Sequence, residues 1–178
     1  MKTSNKILLA KIISKLLILF KRKSNVKVIR NDLKWSLDLN EAIDLSIYLL
    51  GKFEPVILNI FLNNYKLYKD KFDIIDIGSN CGAHTLYFAK EFPNSKIISI
   101  EPTQYSYLKL NENISLNPSL KKNIISLQAF VTSKKQLPKS VYSSWNFNTH
   151  DEKHNFHLGI KKSTKGSKFI SLDELTSK

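Results

Sequence analysis

The chain has 178 residues, 42% of them hydrophobic and 24% charged, with a formal charge of +13. That length and composition suit one globular domain with a packed core; they exclude a disordered chain and leave too little for two ordinary domains. The lone cysteine, Cys81, excludes an intrachain disulfide and fits a reducing, cytoplasmic setting.

The charge is lopsided. Residues 1–30 hold nine Lys/Arg and no acid, while the remaining 148 residues hold 19 bases against 15 acids. Within this head, ILLAKIISKLLILF (7–20) is an apolar run of 14 residues broken by Lys11 and Lys15. It is too short and too charged to span a bilayer, and it has no small-residue cleavage site. Lys11, Ser14, Lys15 and Arg22 share a face at helical spacing, with Ile and Leu filling the rest. Two readings stand. The helix packs on protein with its lysines solvated, or it makes a peripheral membrane contact through residues 1–23. Nucleic acid is a poor partner, because no aromatic residue sits among the bases before Phe20.

After residue 30 the pattern changes. LKWSLDL (33–39) alternates as a half-buried strand. Asn40 is a fair N-cap for EAIDLSIYLL, which Gly51 stops. Pro55 opens another helix reaching about Tyr65. FDIIDI (72–77) then reads as a strand of a parallel sheet, buried on both faces and ended by Gly78. AHTLYFAKEF is a helix stopped by Pro93, and KIISI (96–100) is a second strand. Thr103 caps a helix carrying Tyr107, Leu110 and Ile114, and NIISLQAFV (123–131) is a third strand. This alternation predicts an α/β fold, a doubly wound sheet with right-handed crossovers.

Ligands of such sheets bind where the first strand turns into its helix. Here that corner reads DIGSNCGAHT, residues 76–85. Gly78 permits the tight turn, and Gly82 lets the backbone come close to a ligand. Asp76 ends the strand and can orient the loop or meet a positive group. Nineteen residues past Gly82, Glu101 ends the second strand and can accept both hydroxyls of a ribose. Nicotinamide sites want G-x-G-x-x-G, so that backbone amides approach a pyrophosphate. In G-S-N-C-G, Asn80 stands where the middle glycine belongs. It would crowd a pyrophosphate but can hydrogen-bond an amino-acid carboxylate or amine. S-adenosylmethionine, with a ribose, an ammonium and a sulfonium but no phosphate, fits better.

DIGSNCGAHTLYFAK, IEPTQYSYLKLNENISLNP and SSWNFNTH…ISLDEL, with LKWSLDLNEAIDLSIYLLGKFEP upstream, resemble the FkbM family of S-adenosylmethionine-dependent methyltransferases. The resemblance covers residues 32–178. It implies a Rossmann-like methyltransferase fold, with O-methylation of a hydroxyl on a sugar or other small-molecule or glycan acceptor. The family's D-x-G-A-N-x-G loop is matched by Asp76, Gly78, Asn80 and Gly82, with Ser79 in place of alanine. The ribose acid maps to Glu101, and Gln128 and Ala129 fall where such folds meet adenine. Family members continue past L-D-E-L into a fourth strand, whereas this sequence stops at Lys178. The expectation is therefore a basic helical head (1–30), a strand-helix-helix extension (31–70) and a partial methyltransferase domain (71–178). The fold would be truncated after the third strand region, with a separate chain as one source of the missing C-terminal half. Ser171 to Glu174 form a capping box.

No catalytic base stands out. His84, just inside the helix after Gly82, lines the pocket or packs. His150, His154 and His157 lie in a polar run without recognised metal-ligand spacing, so no metal is expected. Cys81 reads as a small loop residue. Tyr142 and Trp145 pack or floor an acceptor pocket. Two alternatives remain: a nicotinamide-dependent oxidoreductase or epimerase on the same topology, and an inactive fragment that acts as a membrane-associated interaction piece.

Overall fold

A computed structural model describes residues 3–65, 72–133, 138–147 and 159–176. The chain divides into two units, residues 1–53 with 142–161, and residues 54–141 with 162–178.

In the first unit, the basic head forms helix α1 (Thr3–Lys21). The chain then turns back as an antiparallel hairpin, β1 (Asn25–Arg30) with β2 (Leu33–Asp38), joined through Asn31 and Asp32, both at positive φ. β2 shows the expected alternation, with Leu33, Trp35 and Leu37 buried and Lys34 exposed. Helix α2 (Ala42–Leu50) is stopped by Gly51 at φ 79, whose N–H donates to the Ile47 carbonyl. Its N-cap is Glu41 rather than the expected Asn40, because Asn40 is bound to the strand end: its backbone N–H and Nδ2 both donate to Asp38 Oδ1 at 3.0 Å. Ser14, expected on the solvated face of α1, is buried instead, and its hydroxyl donates to the Leu39 carbonyl at 2.7 Å.

The second unit begins with α3 (Pro55–Tyr65). Three short strands, β3 (Ile74–Ile77), β4 (Ile97–Ile100) and β5 (Ile124–Leu127), form a parallel sheet in the order β3-β4-β5. Helix α4 (Ala83–Glu91) links the first two; α5 (Gln104–Leu116) and the short α6 (Pro118–Lys121) link the next. Pairing aligns Ile74, Ile97 and Ile124 in one row. With Leu58 of α3 and Tyr87, Phe88 and Ala89 of α4 they close one hydrophobic layer. On the opposite face, Ile75, Ile98 and Leu127 pack with Ile100, Ala129 and Leu175. Side chains alternate across a strand, so a sheet covered on both faces needs apolar residues in both parities.

The expected third strand, 123–131, breaks at Gln128. β5 pairs with β4, whereas β6 (Ala129–Val131) pairs in parallel with β9 (Lys168–Ile170). β7 (Ser140–Ser143) and β8 (Ile160–Ser163) form a further two-stranded sheet. The capping box forms as expected and opens α7 (Leu172–Thr176), with Ser171 N–H donating to Glu174 Oε2 at 2.8 Å and Glu174 N–H to Ser171 Oγ at 3.2 Å.

Candidate functional site

The carboxyl ends of β3 and β4 meet at the glycine loop. The N–H groups of Gly78 and Ser79 both donate to the Ile100 carbonyl, at 2.8 and 3.1 Å, which continues the β3–β4 ladder by one step. The chain then folds into a tight turn, with Gly82 N–H donating to the Ser79 carbonyl at 2.8 Å. Gly78, Asn80 and Gly82 all have positive φ, at 81°, 48° and 88°. The alternation explains the residue types, since glycine and asparagine tolerate the left-handed region best. The Asn80 side chain supports its own turn, its Oδ1 accepting the Cys81 N–H at 2.8 Å.

The two glycines have different surroundings. A Cβ at Gly82 would lie 2.8 Å from Leu110 Cδ1, so α5 packs directly on the bare Cα. A Cβ at Gly78 would meet nothing within 4 Å among the described residues. Open approach to the backbone thus lies at Gly78, while Gly82 serves the packing of α5 against the loop. The loop is also tied down from behind: buried Cys81 accepts, through its carbonyl, a bond from Asn113 Nδ2 at 2.9 Å.

Glu101 is buried and turned toward the loop. Its Oε2 accepts the Asn80 N–H at 2.9 Å, and its Oε1 accepts the Thr103 N–H at 2.9 Å and the Thr103 hydroxyl at 2.6 Å. Thr103 is the N-cap of α5, but its hydroxyl goes to Glu101 rather than to the helix. A carboxylate offers about four lone-pair positions. Three carry the bonds above, which fixes the orientation of the group and leaves acceptor capacity on Oε2.

Sheet register places Asp76 opposite Ser99, and Ser99 opposite Ser126. This polar row lies two residues along the strands from Ile74, Ile97 and Ile124, on the same face. The Thr85 hydroxyl of α4 donates to Asp76 Oδ2 at 2.6 Å and lies 2.8 Å from Ser99 Oγ. The Ser126 hydroxyl donates to Asn111 Oδ1 of α5 at 2.7 Å. Burial raises the Asp76 pKa above its usual 3.8, opposed by the Thr85 hydrogen bond and by His84. His84 Nε2 lies 3.7 Å from Glu54 Oε2. Thr85 and Ser99, both fully buried, were not legible as site residues, because only the strand register shows that they meet Asp76. Ser79 Oγ, of the loop motif, and Ser106 Oγ, which the sequence did not single out, are both buried and without a hydrogen-bond partner among the described residues.

Gln128 and Ala129 are placed differently from the loop residues. The Leu127 carbonyl accepts the Glu101 N–H at 3.1 Å, so this segment passes beside the acid. The Gln128 side chain, however, donates through Nε2 to the Lys165 carbonyl at 2.8 Å and lines Gly166, while Ala129 is buried beside Ile100 and Leu175. In the first unit, Tyr142 stacks under Lys161 Nζ at 5.5 Å, and the Trp145 carbonyl accepts the Ala42 N–H at 2.9 Å. Buried Glu41 accepts bonds from Ser144 Oγ at 2.6 Å and Asn146 Nδ2 at 3.0 Å. No group of His, Cys, Asp and Glu able to hold a metal occurs among the described residues. His150, His154 and His157 lie outside them.

A cavity of about 670 Å³ opens elsewhere in the second unit, between α3 and the start of β3, lined by Ile57, Ile60, Phe61, Tyr65, Phe72 and Ile75 among others. Its walls are apolar apart from Asn64 and Asp73. The polar groups able to orient a charged ligand converge at the other end of the strand.

Three comparisons bear on this arrangement. No family model matches the chain. The chain is similar to a methyltransferase, sdnD, from Sordaria araneosa, with 34% identity over 89 residues. The match takes in 47% of this chain and 34% of that protein, so the chain spans about a third of the length of the relative it matches. A crystal structure of a presumed transferase from Pyrococcus horikoshii overlaps 58% of this chain and 36% of its own, with 23% identity and a TM-score of 0.42. The coordinates themselves establish a mixed α/β fold with a parallel sheet.

Proposed function

We propose that this chain carries the cofactor-binding part of an S-adenosylmethionine-dependent methyltransferase of the FkbM type, one that methylates a hydroxyl on a sugar or other small-molecule or glycan acceptor. One observation carries the reading: Glu101, at the end of β4, is oriented onto the loop after β3 by the Asn80 N–H. Beside it, among the described residues, Gly78 leaves its Cα side open and Ser79 Oγ is buried without a partner. The name of the Sordaria relative supports the same activity.

The residues present fit the cofactor. Glu101 Oε2 retains capacity for a ribose hydroxyl. The backbone at Gly78 and the hydroxyl of Ser79 suit the amino-acid end, which needs close approach and hydrogen bonds rather than a phosphate cradle. Bound there, S-adenosylmethionine supplies a methyl group on a sulfonium, an electrophile that transfers by in-line displacement. The protein's task is then to hold the donor rigidly. Thr103 and Asn80 fix Glu101, Asn113 fixes Cys81, and Thr85 fixes Asp76. Such positioning can supply roughly 7–11 kcal/mol of a barrier. Ile74 and Gly78 turn their N–H groups to Lys96 and Ile100, so the alternate residues Ile75 and Ile77 face the edge of β3 that no described strand covers. A further strand, from another polypeptide segment, would pair there.

Isothermal titration of the full chain tests the reading. It expects saturable binding of S-adenosylmethionine and S-adenosylhomocysteine, and at least tenfold weaker binding for Gly78→Val, whose side chain would fill the open face and strain the backbone at φ 81°, with the variant's urea midpoint measured alongside to separate the two effects. Binding of NADH with no response to S-adenosylmethionine would overturn it in favour of the oxidoreductase alternative.

A further inference from the structure

Helix α1 presents a surface that the glycine loop does not use. Its inner side centres on buried Ser14, flanked by the half-buried Ile7, Ile18 and Leu17. At 100° per residue, the outward side is a stripe of Leu8, Ile12, Leu16 and Leu19, with Leu9 and Phe20 along its border. All six are exposed, from 47% at Ile12 to 84% at Phe20. The same geometry puts Lys11 and Lys15 along one margin of the stripe and Lys6 along the other, while Lys21, Arg22 and Lys23 close its C-terminal end. No acid occurs in the first 30 residues.

This arrangement differs from an ordinary amphipathic helix on a protein core, where the apolar stripe turns inward. Neither margin carries an acid, so the complement of this surface is anionic. Lysines along both margins of an apolar stripe suit a bilayer surface: their stems follow the stripe while their ammonium groups reach the headgroups. No single helix among the described residues is long and apolar enough to cross a membrane, so the geometry is that of a helix lying in the surface.

We infer that α1 docks this protein on bilayers containing anionic lipid, with Leu8, Ile12, Leu16, Leu19 and Phe20 entering the acyl boundary and Lys6, Lys11, Lys15 and Arg22 on the headgroups. The inference is independent of the cofactor and survives if the methyltransferase reading fails.

Sedimentation of the full chain with phosphatidylcholine–phosphatidylserine vesicles tests it, against pure phosphatidylcholine vesicles. Binding is expected to the mixed vesicles, to weaken with added salt, and to be much weaker on phosphatidylcholine alone. Each lysine replaced in the pair Lys6→Ala and Lys15→Ala should weaken it about fivefold. Leu16→Glu combined with Leu19→Glu should abolish it, with circular dichroism and urea midpoint unchanged because both side chains already face outward. Equal binding to both vesicle types, no binding to either, or full retention by the glutamate variant would overturn the inference. So would a wild-type dimer that the glutamate variant splits while vesicle binding is absent.

Discussion

Two neighbouring rows on one face of the parallel sheet are built to opposite specifications. Ile74, Ile97 and Ile124 form an apolar row under α3 and α4. One step toward the carboxyl ends, Asp76, Ser99 and Ser126 form a polar row, bonded to Thr85 and Asn111 of the covering helices. The strands are identical in geometry across that step. What changes is the neighbourhood: the polar row borders the glycine loop. Burying it is less favourable than burying a second row of isoleucines, since each polar group needs a partner. The sheet gives up some packing where it must hold a shaped loop and keeps it where nothing else is required.

The comparison predicts that the first row carries stability and the second carries shape. The largest effect belongs to Ile97, fully buried at the centre of the apolar row. Ile97→Ala should cost about 2–5 kcal/mol in urea unfolding, while molecules that remain folded keep their affinity for S-adenosylmethionine. A loss of affinity larger than the loss of folded protein would break the distinction.

Thr85→Val is nearly isosteric and removes the hydroxyl that donates to Asp76 and is shared with Ser99. It should cost about 1–3 kcal/mol, because a half-buried carboxylate and the fully buried Ser99 each lose a hydrogen bond, and it should push the Asp76 pKa higher still. Proton titration followed by NMR at the Asp76 carboxyl checks the second part; an unchanged pKa would mean that the Thr85 bond does not orient the acid.

The last effect sharpens the comparison through pH. Burial raises the native Asp76 pKa above 3.8, so the folded chain holds this proton more tightly than the unfolded chain does. Stability therefore falls as pH rises, from near 3.8 up to the raised native value, and is level above it. Asp76→Asn removes that fall, so the variant gains on the wild type across this window. Urea midpoints of both proteins measured as a function of pH should diverge upward in favour of the variant. Parallel curves would contradict the burial account.

Much of this architecture was legible in local pattern. β3, β4, α3 and α4 follow from short apolar runs and from the punctuation of Gly78, Pro93 and Pro55. β1 was hidden because NVKVIR carries the bases of the head, and charge masked its alternation. The break at Gln128 was not legible either, because β6 takes its partner from residues about forty positions later, and no local period records such pairing. At the site, Glu101 could be read from its place after a strand, but the bonds that orient it depend on the path of the Asn80 and Thr103 backbone. The packing of Leu110 on Gly82 was not legible, because that residue comes from a helix 28 residues away in sequence.

The most direct measurement is an amide chemical-shift map of the chain titrated with S-adenosylhomocysteine. The account predicts that the largest shifts fall on Gly78, Ser79, Asn80 and Glu101, with residues 57–65 along the apolar cavity unmoved. Shifts confined to the cavity, or a loop that responds to NADH and not to S-adenosylhomocysteine, would contradict it.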